Sequence, residues 1–144
     1  MLFRKIKSVI VVGCGRFGAS LAGRLCEQGY DVMVIDKDSG SFSQLPESYS
    51  GYEVASDGAD INTLEKAGIK NTEILVAATG YDCTNSLICQ IAARLYHVPN
   101  TYMRLTDPQM EPVIRGYGIQ VIYPFRLSMQ EFERLSGIEV GESE

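Results

Sequence analysis

Short apolar runs alternate along the chain with longer stretches in which apolar residues recur every three or four positions. This alternation predicts parallel strands joined by helices, because a strand covered on both faces is apolar throughout, whereas a helix buries only one stripe. The predicted strands cover residues 8–12, 32–35, 52–55, 74–78, 101–105 and 120–122. We therefore predict an α/β fold with a Rossmann-like, doubly wound parallel sheet of six strands in the order 3-2-1-4-5-6.

Glycine and aspartate residues mark the ends of the predicted helices. A helix over residues 17–28 ends before Gly29, which can adopt the left-handed conformation common after helices. Asp60, Asp82 and Asp107 are predicted to cap three further helices, since an aspartate at that position accepts a first-turn N–H. The first of these helices covers 61–67, the second runs from the Asp82 cap to residue 96, and the third runs from Pro108 towards residue 116. Segment 39–51 predicts a short helix and a loop.

One more helix is predicted after the last strand, over residues 125–135. Its Phe125, Met129 and Phe132 share one face at helical spacing, and Gly137 ends it. We therefore divide the chain into a Rossmann domain, 1–124, and a C-terminal helix and tail, 125–144.

The composition restricts the classes of function. The 144 residues are 45% hydrophobic, which fits one globular domain. Eighteen acidic and thirteen basic residues give a net charge of -5, which argues against binding nucleic acid or an anionic membrane surface. No apolar run approaches the roughly 18 residues of a membrane span, so we expect no direct membrane insertion. Four cysteines without a CxxC pair and a single histidine indicate neither a zinc site nor a disulfide framework, as in a reduced cytoplasmic protein.

The sequence Gly13-Cys14-Gly15-Arg16-Phe17-Gly18 is a GxGxxG motif between the first predicted strand and the first predicted helix. In this place the first glycine permits a tight turn, the second lets a phosphate approach the backbone, and the third lets the helix pack closely. The free N–H groups and the dipole of the first helical turn then face the phosphate. The motif predicts nucleotide binding, with a purely structural glycine turn as the alternative.

Asp36 ends the second predicted strand, at the position where a carboxylate accepts hydrogen bonds from the ribose hydroxyls of adenosine. It would repel a 2′-phosphate, and the adjacent Lys37 cannot supply bidentate phosphate recognition. We therefore expect NAD or another adenine nucleotide, and not NADP. The alternative is a solvated strand end.

Three further places could contact the ligand. Arg16 could swing over the di- or triphosphate of a nucleotide or reach a neighbouring subunit, and its alternative is an exposed surface arginine. Asp57, after the third strand, could touch the adenine amino group, or be a polar loop residue. Thr79 and Gly80 follow the fourth strand, at the carboxyl edge where open α/β sheets bind ligands.

The sequence contains no arrangement typical of a catalytic site. It has no Ser, His and acid combination and no Gly-x-Ser-x-Gly elbow, and its one histidine, His97, lies near a predicted helix end. We therefore expect no enzyme. Two alternatives stay open: a small NAD-dependent oxidoreductase or the cofactor half of one, and an interaction module whose glycine loop binds nothing tightly.

Several motifs in order give the chain a specific resemblance. They are the glycine motif 13–18, Asp36, Ser56-Asp57-Gly58-Ala59-Asp60, the segment 64–69, Ala77-Ala78-Thr79-Gly80 and Arg104-Leu105-Thr106-Asp107-Pro108. With these the chain resembles, from residue 8 to 124, the TrkA N-terminal domain, also called the RCK or KTN domain, of Trk/Ktr-type potassium uptake regulators. Where the family often has Gly-Asp-Ala, this chain has Ser56-Asp57-Gly58, and the C-terminal lobe of the family is not in this sequence.

The resemblance implies a regulatory role. Such domains are cytoplasmic, form dimers or rings of dimers, and gate a membrane potassium channel or transporter in response to NAD(H), ATP, ADP or AMP. The helix 125–135 matches the crossover helix by which they pair, with packing on the domain's own sheet as the alternative. The implied nucleotide site comprises Gly13, Cys14, Gly15, Arg16, Phe17, Gly18, Asp36, Lys37, Asp57, Gly58, Ala78, Thr79 and Gly80.

Overall fold

A six-stranded sheet organises the chain, whose residues 6–141 are described by a computed structural model. The strands are β1 (Ser8–Val12), β2 (Asp31–Asp36), β3 (Tyr52–Ala55), β4 (Ile74–Ala77), β5 (Asn100–Arg104) and β6 (Ile119–Ile122). Every neighbouring pair is parallel, and the strand order is β3-β2-β1-β4-β5-β6. The predicted sheet and its order are confirmed, with strand ends displaced by at most one residue.

The helices cover both faces of this sheet. They are α1 (Arg16–Glu27), α2 (Ile61–Lys66), α3 (Asp82–Gln90), α4 (Glu111–Ile114) and α5 (Pro124–Ser136), with 3-10 turns at Ser39–Gln44, Ile69–Asn71 and Pro108–Met110. Alternate residues of β1 enter different clusters: Val9 and Val11 pack with α1, whereas Ile10 and Val12 pack with residues of α2, α3 and α4. Burial of both alternations explains why the strands are apolar throughout.

Two predicted helix ends differ from the structure. Asp82 is the first residue of α3 and does not cap it; its carboxylate instead accepts the N–H groups of Thr106 and Asp107, at 2.8 and 2.9 Å. The helix predicted from Pro108 divides into a 3-10 turn and the four-residue α4, because Pro112 has no N–H to continue the helical hydrogen bonds. Asp60 and Asp107 cap as predicted, by accepting N–H groups of the following turn.

The helix α3 continues as a π-helical turn at Ile91–Leu95. Leu87, Ile91 and Leu95 are apolar residues at helical spacing along this segment; Ile91 is buried, whereas Leu87 and Leu95 are 50% and 61% exposed. This apolar stripe therefore lies at the edge of the core and not wholly inside it.

The C-terminal helix α5 has a different environment from the others. None of its residues is buried, and Phe125 and Phe132 are 58% and 47% exposed. Tyr123 precedes the first residue of α5 and anchors its N-terminus. The hydroxyl of Tyr123 donates to Glu111, and the centre of its ring lies 4.1 Å from the guanidinium carbon of Arg126. Packing of α5 on its own sheet is therefore not seen. Residues 1–5 of the predicted Rossmann domain and 142–144 of the predicted tail lie outside the described residues.

Within residues 6–141, no helix has the length and apolar character needed to cross a membrane.

Candidate functional site

A cleft of about 380 Å³ opens at the carboxyl ends of the central strands. Such a volume is within the range of about 300–1,000 Å³ typical of small-molecule sites. The predicted site residues that line it are Gly13, Gly15, Asp36, Lys37, Asp57, Gly58, Ala78, Thr79 and Gly80. The other four do not line it: Cys14 and Gly18 are buried beneath the loop, and Arg16 and Phe17 are exposed beside it. The sheet therefore brings most of the predicted residues together.

The three motif glycines meet different surroundings. Gly13 has a φ of +105°, and a Cβ there would lie 2.7 Å from the carbonyl oxygen of Ala78. A Cβ on Gly18 would lie 1.8 Å from the carbonyl oxygen of Gly13, so this glycine lets α1 pack on the loop itself. A Cβ on Gly15 would meet nothing within 4 Å. Two glycines thus make the loop compact, and the third leaves an open backbone face towards the cleft.

The N-terminus of α1 lies directly after that open face. No side chain in the described part of the chain caps it, and its first turn contains no acidic residue. First-turn N–H groups without helical partners, together with the positive end of the helix dipole, favour an anion. The loop therefore has the electrostatic character expected of a phosphate site.

Asp36 connects the second strand to the glycine loop. Its Oδ2 accepts the Cys14 N–H at 2.8 Å, and its Oδ1 accepts the Asp38 N–H at 2.8 Å. An ionised carboxylate offers about four acceptor positions, so each oxygen can still accept a ribose hydroxyl. The carboxylate is thus fixed in orientation and retains the capacity that the sequence predicted for it.

The thiol beside Asp36 is not a nucleophile in this geometry. Burial, followed by the charges of Asp36 and Glu53, raises the pKa of Cys14 to about 11. Nucleophilic attack by cysteine requires the thiolate, which is scarce at neutral pH under these conditions. The contribution of Cys14 to the site is its backbone N–H.

An ion pair between residues that follow β2 and β3 lies at one side of the cleft. Lys37 Nζ lies 3.7 Å from Asp57 Oδ2, with both side chains well exposed. Asp57 also accepts the Ala59 N–H at 2.9 Å. A Cβ on Gly58 would lie 2.3 Å from Cγ1 of Val12, so glycine at this position lets the loop approach the end of β1. An exposed pair of this kind contributes at most about 1 kcal/mol, so Asp57 remains available to a ligand.

The opposite wall depends on a residue that the sequence analysis missed. Asn85 is fully buried in α3, and its Oδ1 accepts the N–H and the hydroxyl of Thr79 at 3.0 and 2.6 Å. Its Nδ2 donates to the carbonyls of Thr79 and Arg104, both at 3.0 Å. The sequence signal was an asparagine three and four positions before the buried Ile88 and Cys89, which places it on the inner face of the helix.

Arg104 ends β5 and lines the cleft, so the site contains a second cationic residue besides Lys37. It belongs to the sequence motif Arg104-Leu105-Thr106-Asp107-Pro108, but it was not among the residues predicted for the nucleotide site. Ser41, Tyr81, Thr84 and Ile88 also line the cleft and were not predicted. Among residues 6–141, no group of three or more His, Cys, Asp or Glu side chains could hold a metal ion.

Comparisons with known proteins identify relatives of the chain. The family model of the TrkA-N domain matches residues 9–124. The Trk system potassium uptake protein TrkA of Streptomyces coelicolor is 33% identical over 126 residues, which cover 88% of this chain and 56% of that protein. A TrkA homologue of Methanothermobacter thermautotrophicus is 35% identical over 128 residues, which cover 88% of this chain and 59% of that protein. The chain therefore spans little more than half the length of these curated relatives.

A solved structure resembles the chain over most of its length. The Kef CTD of Shewanella denitrificans, in its AMP-bound form, superposes with a TM-score of 0.75 at 26% identity. The match covers 95% of this chain and 84% of that one.

Proposed function

The chain belongs to the TrkA-N domain family, and we propose that it binds an adenine nucleotide in the cleft and thereby regulates a potassium uptake system. The observation that carries the proposal is the cradle formed by the open backbone at Gly15, the N-terminus of α1 and the oriented carboxylate of Asp36. The names of the two curated relatives support the connection to potassium uptake, and the AMP in the Kef CTD supports an adenine nucleotide as ligand.

The cleft residues support AMP, ADP, ATP, NAD or NADH as ligands. All five carry an adenosine whose ribose hydroxyls can bond to Asp36 while the first phosphate lies at the glycine loop. NADP has a 2′-phosphate in place of one of those hydroxyls, and it would lie against the carboxylate. Lys37 does not offset this repulsion, because a single ammonium group cannot supply bidentate recognition of the 2′-phosphate.

Regulation requires that the ligand bind one arrangement of the protein better than another. The apolar face of α5, containing Phe125, Met129 and Phe132, is available to pair with the same face of a second copy, as a homodimer or as part of a larger ring. In this division residues 1–124 bind the nucleotide and 125–144 join the copies. A tenfold preference of the ligand for one dimer arrangement amounts to about 1.4 kcal/mol per site. Several coupled sites could therefore bias a membrane channel or transporter beside which the protein lies in the cytoplasm.

The proposed role includes no chemical reaction. The buried thiol of Cys14 is held neutral, and the cleft carries recognition groups, namely backbone N–H groups, carboxylates and two cations. A small NAD-dependent oxidoreductase would in addition hold a carbonyl substrate within hydrogen-bond reach of an acid or base. Incubation with NADH and candidate carbonyl compounds distinguishes the two roles, since only the oxidoreductase consumes NADH.

Calorimetric titration with AMP, ADP, ATP, NADH and NADPH tests the proposed ligand class. We expect the first four to bind, because they share the adenosine and the first phosphate. NADPH should bind at least about tenfold more weakly than NADH, because its additional phosphate meets Asp36. The comparison of NADH with NADPH is the matched control, since the two differ only by that phosphate. If none of the five bound, the proposed function would be wrong.

A further inference from the structure

We propose that Asn85 is a positioning residue that holds the half of the cleft over β4 and β5, and that it thereby controls affinity for ligands extending beyond the first phosphate. This inference rests on the proposed function, since it concerns the same site. Asn85 itself lines no part of the cleft and is fully buried, so it acts through Thr79 and Arg104.

The hydrogen bonds of Asn85 use both ends of its amide. Oδ1 accepts twice from Thr79, and the two N–H groups of Nδ2 donate to two carbonyls, one on each side of the boundary between β4 and β5. A buried amide with all these partners defines the separation of the two strand ends, because any displacement leaves a polar group unpaired. An apolar side chain of similar size would leave two carbonyls, one N–H and one hydroxyl without these bonds.

A second contact from the same helix supports this role. One turn before Asn85, the carboxylate of Asp82 accepts the N–H groups of Thr106 and Asp107. The first turn of α3 therefore fixes the backbone on both sides of Leu105. Arg104, which lines the cleft, lies in the segment held in this way.

The strand order determines which part of a ligand depends on Asn85. Neighbouring strands are about 4.8 Å apart, and the order β2-β1-β4-β5 places Asp36 at one end and Arg104 at the other. The ribose at Asp36 and the first phosphate at the glycine loop lie over β2 and β1. A second phosphate, or the second nucleoside of NADH, continues towards Thr79 and Arg104. AMP therefore ends before the half of the cleft that Asn85 holds.

The test compares Asn85→Leu with a variant that removes buried hydrogen bonds elsewhere. Thr72→Val is the matched control. The buried hydroxyl of Thr72 donates to the carbonyl of Ser8 at 3.0 Å, at the amino ends of the central strands and so away from the cleft. We expect Asn85→Leu to lower the binding affinity for ADP and NADH by about tenfold or more, whereas the affinity for AMP should change by less than about threefold. Thr72→Val should lower the melting temperature and leave all three affinities unchanged.

The outcomes separate this inference from the proposed function. An unmodified chain that binds none of the nucleotides would reject the proposed function and, with it, the inference. If the unmodified chain binds all three nucleotides and Asn85→Leu lowers the three binding affinities equally, the inference alone is rejected.

A measurement on the unmodified chain covers the case in which Asn85→Leu does not fold. The side-chain amide signals of Asn85 in a nitrogen-15 NMR spectrum should shift on addition of ADP and remain in place on addition of AMP. Equal shifts with the two nucleotides, or none with either at saturation, would overturn the assignment.

Discussion

The two halves of the cleft are constructed differently. The half over β1 and β2 is formed by the glycine loop and the end of β2, which are joined directly by the bond from the Cys14 N–H to the Asp36 carboxylate. The half over β4 and β5 comes from three separated places, Thr79, Asn85 and Arg104, joined by a buried amide. The first half therefore presents its binding groups through local backbone geometry. The second half depends on the packing of a helix against two strand ends.

The largest expected effect concerns the compactness of the first half. Gly18→Ala places a Cβ 1.8 Å from the carbonyl oxygen of Gly13, which is backbone and cannot rotate away. We expect a loss of about 3 kcal/mol or more in the free energy of unfolding, measured by urea denaturation. The matched control is Gly15→Ala, whose Cβ meets nothing within 4 Å and whose φ of -79° suits alanine.

Gly15→Ala should leave the free energy of unfolding within about 0.5 kcal/mol of that of the unmodified chain. It should lower the binding affinity for every nucleotide. Its methyl group would occupy the open face over which we place the phosphate. If Gly18→Ala unfolded at the same urea concentration as the original, the loop would not be held by local backbone contacts and the contrast between the halves would fail.

How far each half could be predicted follows from the same difference. The glycine motif and Asp36 could be predicted because the spacing of 22 residues between Cys14 and Asp36 is set by one helix and one strand, α1 and β2. The sheet order was predictable for a similar reason, since repeated βαβ units restrict the topology. Apolar periodicity identified α5, and its exposure depends on packing that periodicity does not specify.

The second half was only partly predictable. Thr79 and Gly80 were placed at the cleft because they follow a strand. The bond from Asn85 to Arg104 joins residues 19 apart, across a π-helical turn whose effect on register no periodic pattern specifies. Asp82 was expected to cap its own helix, and it instead bonds to the loop after β5, because that loop passes within reach of the N-terminus of α3 only in the folded sheet. Contacts such as these depend on how the folded helix packs on the strand ends, which local sequence patterns do not specify.

An intermediate effect would show whether the first half serves all ligands equally. Asp36→Ala should make the binding free energy of AMP, ADP and NADH less favourable by about 1.5–3 kcal/mol each, because charge-assisted hydrogen bonds to the ribose are common to the three. Calorimetry measures each affinity, and Glu47→Ala, which removes an exposed acidic residue outside the cleft lining, is the control. A loss confined to ADP and NADH would mean that the ribose does not lie at Asp36. The division of the cleft into a shared half and a selective half would then be reversed.

The smallest expected effect belongs to Arg16, which is exposed and lies outside the cleft lining. Its guanidinium can reach a ligand only by swinging over the outermost phosphate, so Arg16→Ala should narrow the affinity gap between ATP and ADP while AMP stays unchanged. A solvent-exposed contact of this kind amounts to less than about 1 kcal/mol, which is a few-fold in affinity. Arg24→Ala, in the last turn of the same helix, is the control. If calorimetry gave an unchanged ratio of ATP to ADP affinity, Arg16 would have no part in sensing phosphate number within one chain, and Arg104 would be the remaining cation at the far end of the cleft.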